Sequence, residues 1–146
     1  MNIARCLDTI DRLCSRPFPA EHGWSDVGRG GPGYFMAEMA EWAAADRDRA
    51  PGEPTADDVE AFREGIAQRL DERWGERPPW AMLTLRVRAE RGEEIPEPWA
   101  SISTLADDLR IWEAAGTGRW VALGVAQGDE TAPARLLAVV TEVDPE

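Results

Sequence analysis

The stretch from Leu109 to Val143 constrains the fold most. It reads LRIWEAA, GTG, RWVALGVAQGD, ETAPA and RLLAVVTEV: two apolar segments joined by a tight glycine turn, with a third brought back by a longer loop. Along the middle segment Val121, Leu123 and Val125 alternate with Trp120, Ala122, Gly124 and Ala126. A period of two marks a strand, and a strand whose two faces are both apolar or small is a central one, covered on both sides. In the GTG turn a glycine can supply the positive φ that a short hairpin loop requires. The expectation is an antiparallel three-stranded meander that forms the wall on which helices pack.

Other segments supply the helices. At 2–15 the apolar residues Ile3, Cys6, Leu7, Ile10, Leu13 and Cys14 recur at helical spacing, with Asp8 and Arg12 paired on the wet face and Pro17 and Pro19 ending the run. The Ala-rich stretch 34–47 predicts a second helix, with Phe35, Met36, Met39, Ala40 and Ala43 on one side, before a linker, DRAPGEP. The strongest helical pattern lies at 56–74. Thr55 is its N-cap, Asp57, Asp58 and Glu60 sit at the positive end of the dipole, and Val59, Phe62, Ile66, Leu70 and Trp74 form the stripe. Gly75 suits the left-handed position after the last turn.

At 80–90 the sequence WAMLTLRVRAE alternates, which predicts a fourth strand with Ala81, Leu83, Leu85, Val87 and Ala89 inward. Five glycines and three prolines make 16–33 an irregular loop. A second loop, 91–104, is pinned by Ile95 and Trp99, and a single helical turn opens at Thr104. The fold expected is therefore α+β: one domain spanning 1–146, an antiparallel four-stranded sheet with a C-terminal meander, and about three N-terminal helices packed mainly on one face.

Charge narrows the function. There are 28 acids against 16 basic residues, a net charge of −12, and every basic residue is arginine. This composition suits a GC-rich bacterial coding sequence. No basic run is present to displace counterions from phosphates, so a nucleic-acid partner is not expected. No apolar run approaches the roughly 20 residues a membrane span requires. The N-terminal MNIARCLDTIDRLCSR carries charges and no apolar h-region, so it does not read as a signal peptide, and the chain is expected in the cytoplasm. Cys6 and Cys14, eight apart on a helix, place their Cα atoms about 12 Å apart. A disulfide spans less than about 7 Å, so both are expected as free buried thiols.

Several chemical motifs can be written from the letters. Gly28-Arg29-Gly30-Gly31-Pro32-Gly33 matches G-x-G-x-x-G, but no apolar strand precedes it and Pro32 removes a backbone donor, so a phosphate loop is not expected. His22 is the sole histidine and stands near Ser25 and Asp26. Triads assemble from distant parts of a chain, so no catalytic residue is assigned there. One histidine and two distant cysteines do not make a zinc site, so neither metal nor cofactor is expected. The carboxylate pairs Glu38/Glu41, Asp57/Asp58, Glu60/Glu64, Asp107/Asp108 and Glu93/Glu94 are what 28 acids produce by chance.

The binding-surface candidates are Trp80, Met82, Thr84, Arg86 and Arg88, which would stand in line on the outer side of the fourth strand; aromatic residues, methionine and arginine are the types enriched at interfaces. The loop candidates are His22, Trp24 and Arg29. In size, acidity and α+β order the chain is similar to small bacterial immunity and secretion-helper proteins, a likeness that carries no motif. The expected function is a non-enzymatic cytosolic protein-binding module, with a protein partner or self-association as a homodimer. The alternative is a small-molecule-binding protein or small enzyme with a pocket between the sheet and the 16–33 loop.

Overall fold

A computed structural model describes residues 3–25, 28–38, 56–77, 79–114, 116–126 and 135–143. In chain order the elements are α1 (Ile3–Ser15), β1 (Gly23–Ser25), β2 (Gly28–Gly31), β3 (Tyr34–Glu38), α2 (Ala56–Trp74), β4 (Trp80–Ala81), α3 (Leu83–Glu90), α4 (Trp99–Leu105), β5 (Ala106–Ala114), β6 (Arg119–Ala126) and β7 (Arg135–Thr141). The fold is α+β, built on a single antiparallel sheet in the order β1-β2-β3-β7-β6-β5-β4.

The meander stands as expected. β6 lies between β5 and β7, with Trp112 opposite Val121 and Val121 opposite Val140. Gly116 and Gly118, with φ of 81° and 73°, turn the chain between β5 and β6. Both faces of β6 are covered. Val121, Leu123 and Val125 join one core with α1 and α2, while Ala122 and Ala126 join another with α3 and α4.

That second core corrects the expectation that the helices pack mainly on one face. Among the described residues there are seven strands against the four expected, with β4 only two residues long, and four helices against about three. The 80–90 segment is the largest departure, because beyond Ala81 it is helix. Met82 and Leu85 are buried and Arg86 is half-buried, a spacing of three and four, while Leu83 is 66% exposed. Over so short a run, periods of 2 and 3.6 share most of their apolar positions. Leu, Arg, Ala and Glu then favour the helix.

The 34–47 expectation fails in the opposite sense. Tyr34–Glu38 is a strand paired with β2 on one side and β7 on the other. A slot between two strands offers ladder bonds and burial to Tyr34, Phe35 and Met36, and tertiary context of that kind overrides helix propensity. The rest of that stretch, the 48–54 linker and Thr55 lie outside the described residues. The segment 16–33 is not wholly irregular either, since it carries β1 and β2. The 91–104 loop ends in α4, which buries Trp99 and Ile102 against the sheet.

Two helices match their sequence patterns closely. α2 buries Val59, Phe62, Ile66 and Leu70, and Gly75, with φ of 94°, follows its last turn as expected. α1 buries Cys6, Ile10, Leu13 and Cys14. Its C-terminal carbonyls would otherwise lack partners. Arg119 of β6 donates to the carbonyls of Leu13 and Arg16, and its guanidinium lies 4.0 Å from the centre of the Phe18 ring.

A charged clasp holds α2 to β5. Arg63, whose side chain is 5% exposed, pairs with Glu60 at 2.7 Å and Asp108 at 3.2 Å. Arg110 bridges Glu64 and Asp71, and the Trp112 indole N–H donates to Asp71 at 2.9 Å.

Candidate functional site

The second face of the sheet carries a gathering of chemically capable side chains at its β1–β3 end. Tyr34 of β3 lies opposite Gly31 of β2, and Arg29, two residues earlier on β2, lies opposite Met36. A strand repeats its face every second residue, so Arg29 and Tyr34 project from the same side. His22, just before β1, closes the group: its Nδ1 is 2.9 Å from the Tyr34 hydroxyl. Glu97, just ahead of α4, adds a carboxylate that acts on Tyr34 through its charge.

Glycine makes this packing possible. A Cβ on Gly31 would stand 2.6 Å from His22 Nδ1 and 2.7 Å from Tyr34 Cε1. The imidazole therefore rests directly on the β2 backbone. A Cβ on Gly30 would meet Pro19 Cγ at 3.1 Å on the other face. The glycines that read as loop flexibility serve close approach between neighbouring segments. The turn into β3 is tied down at Gly33, whose carbonyl accepts from Thr141 Oγ1 at 2.6 Å and from the Glu142 amide at 3.0 Å.

Tyr34 is 1% exposed. Burial pushes its phenol above the ordinary value; the positive charge of Arg29 opposes this, the Glu97 carboxylate reinforces it, and a hydrogen bond from Arg29 opposes it again. The phenol is thus protonated at neutral pH and has a proton to donate. Glu97 is held by Ser101, whose amide donates to it at 2.9 Å and whose hydroxyl donates as well.

Of the loop candidates, the fold brings His22 and Arg29 together around Tyr34, and Trp24 stands opposite Arg29 in the β1–β2 register. Sequence reasoning missed Tyr34, Glu97 and Gly31. The available signal was that Tyr34 is the only tyrosine, as His22 is the only histidine.

The surface candidates do not form a row. Trp80 packs edge-on against Trp99 with ring centres 5.7 Å apart, and Met82 is fully buried. Arg86 turns inward to the carbonyls of Ser103 at 2.6 Å and Ala106 at 2.8 Å, Arg88 pairs with Glu93 at 3.2 Å, and Thr84 is exposed. The row depended on a strand, and in α3 successive residues point 100° apart.

The remaining motifs resolve into structure. The Gly28–Gly33 run leads from strand to strand. Glu60, Glu64, Asp107, Asp108 and Glu93 all pair with arginines. Glu41 and the Glu38 side chain lie outside the described residues. Among the described residues no three His, Cys, Asp or Glu side chains converge as a metal site, and no helix is long and apolar enough to cross a membrane. Cys6 and Cys14 are buried and form no disulfide, and burial, followed by the charge of Asp11, pushes the Cys14 thiol up to about 11. An open groove of about 470 Å³ between α1 and α2 is lined by Ile3, Ala4, Leu7, Arg69, Glu72 and Arg73. Comparison of the chain with family models, with curated proteins and with solved structures finds no match.

Proposed function

We propose that this chain is a non-enzymatic cytosolic protein-binding module whose partner presents a basic surface, in the manner of an acidic immunity or chaperone-like helper. The observation that carries this reading is the placement of the arginines. Arg63 and Arg110 are drawn into the α2–β5 interface, with side chains 5% and 14% exposed. Arg86 and Arg119 are turned to backbone carbonyls. Their positive charge is committed to contacts within the fold, and a partner meets a chain with a net charge of −12. Complementary fields of this kind speed encounter and select partners by sign.

The test is recovery of the tagged protein from its host at low salt, identification of stoichiometric partners by mass spectrometry, and a salt titration of the purified complex. A partner with a basic face is expected, bound at least tenfold more weakly when salt rises from about 50 to 300 mM, because exposed charge is screened over a Debye length. No stoichiometric partner at low salt, or an affinity indifferent to salt, would overturn the reading. Self-association predicts a dimer by light scattering, and a monomer at high concentration removes it.

A second reading, a small-molecule-binding protein or small enzyme, draws on the meeting of His22, Arg29 and Tyr34. Its pocket would have to open on the second face beside β2 and β3, because β1 and β2 extend the sheet and do not lie across it. A ligand-induced rise in Tm that is lost in Arg29→Ala would support it.

A further inference from the structure

Histidine and tyrosine each occur once in the chain, and the fold places them 2.9 Å apart. The direction of that hydrogen bond follows from the surroundings. The Tyr34 phenol is buried and protonated at neutral pH, so its O–H needs an acceptor. Arg29, which also bonds to Tyr34, has only donors to offer. The acceptor within reach is His22 Nδ1, which can accept when the imidazole carries its proton on Nε2.

A protonated imidazole has N–H at both nitrogens and accepts nothing. On protonation of His22 the contact can persist only reversed, with Nδ1–H donating to a hydroxyl oxygen that already accepts from Arg29. The buried O–H then loses its acceptor, a loss that matters more than the mean strength of a hydrogen bond. The ring cannot yield toward β2, because it already rests on the Gly31 backbone, where even a Cβ would stand 2.6 Å from Nδ1. The movement left to it is outward, away from the sheet edge.

Charged and titratable groups reach this contact from each element around it. Arg29 on β2 and Glu97 ahead of α4 act on the Tyr34 phenol through their charges, in opposite senses. Tyr34 on β3 is the partner itself. Glu142, after β7, reaches the turn at Gly33, where its Oε1 would stand 3.2 Å from an added Cβ. Glu21 adjoins His22 in the chain.

We propose that the His22–Tyr34 contact is an acid-released latch on the outer edge of the sheet: neutral His22 holds the segment 20–25 against β2 and β3, and protonation frees it. The segment includes β1, whose pairing with β2 spans only Gly23 to Ser25, so little backbone bonding opposes the release. This inference is independent of the proposed partner.

Nuclear magnetic resonance tests it directly, since the single histidine and single tyrosine make both rings assignable. At pH 7.5, Nδ1 is expected to be unprotonated and Nε2 protonated. Between pH 8 and 5, above the range of ordinary carboxylates, the amide signals of Gly23, Gly30 and Gly31 should move in one step that tracks the imidazole. Amide exchange in β1 should become about tenfold faster, relative to the intrinsic rate, on the acid side. In His22→Asn an amide oxygen can stand near the Nδ1 position at every pH, so the step should vanish; Tyr34→Phe should remove it by deleting the donor. A proton on Nδ1 at neutral pH, glycine amides that stay flat through the imidazole titration, or a step that survives in His22→Asn would each overturn the latch. The tautomer measurement and His22→Asn decide the matter even if Tyr34→Phe fails to fold.

Discussion

The two faces of the sheet solve the same packing problem by different means. On the first, α1 and the 19-residue α2 lie over Phe35, Trp112, Val121, Leu123, Val125, Leu136, Ala138 and Val140. Large side chains fill the gap, and the Arg63–Arg110 clasp holds α2 in place. On the second face the helices α3 and α4 are short, and the β5–β6 strip beneath them carries Ala106, Ala122, Gly124 and Ala126. A Cβ on Gly124 would stand 2.6 Å from Leu109 Cδ2 and 3.1 Å from Ala106 Cβ. The first face is thus held by volume and charge, the second by close approach. The difference predicts that truncation should hurt most on the first face and enlargement most on the second.

The largest expected effect is Phe62→Ala, which empties a side chain only 2% exposed at the centre of the first face. It should cost about 3–5 kcal/mol in urea unfolding. A cost near 1 kcal/mol would mean that α2 is not the principal lid of the core.

The alkaline limb of stability probes both faces at once. With no lysine in the chain, the side chains that titrate ordinarily between pH 8 and 11 are Cys6, Cys14 and Tyr34. Cys14 belongs to the first face and Tyr34 to the second. Both are raised in the folded state, so each binds its proton more tightly folded than unfolded. That contribution is complete below the unfolded value and is lost as pH rises. For Cys14 the window runs from 9.0 to about 11, with a loss of roughly 2 kcal/mol. Unfolding free energies measured across pH 7–11 should fall over this window. Cys14→Ala should flatten the fall between pH 9 and 11. An unchanged slope in Cys14→Ala would assign the effect to another group.

Gly124→Val tests the second face. The added methyls meet Leu109 and Ala106, and overpacking of this kind costs about 1–3 kcal/mol. Its partner experiment is a matching enlargement on the first face, Ala138→Val. If the two cost the same, close approach is not what distinguishes the faces.

Within the clasp, Asp71→Ala removes the acceptor of the Trp112 indole and one partner of Arg110. A loss of about 1–2 kcal/mol is expected. Glu93→Gln, which breaks the exposed pair with Arg88, should change stability by less than about 0.5 kcal/mol. The contrast between these two values measures how much burial strengthens an ion pair in this protein.

The outcomes along the chain show where sequence reasoning reaches and where it stops. The 56–74 helix, the 3–15 helix and the meander were legible because each repeats its own period long enough to exclude the other. The 80–90 segment failed because its apolar residues satisfy both periods. Tyr34–Glu38 failed because the decisive partner, β7, lies about a hundred residues away. Of the candidate site, His22 and Arg29 were legible by residue type, but Tyr34 and Glu97 come to them only through the strand order β2-β3-β7 and the placement of α4.

What the residues determined by themselves is local: which stretches are long amphipathic helices, that β6 is central, that the thiols form no disulfide, and that the chain is strongly acidic. Those properties follow from periodicity, spacing and composition, which need no partner from elsewhere. Only the tertiary structure decided that helices cover both faces, that glycines in β2 and β6 mark close contacts, and that the lone histidine meets the lone tyrosine. The physical reason is the same in each case. A short segment takes the conformation that buries it best against its neighbours, and those neighbours are set by contacts far away in the chain.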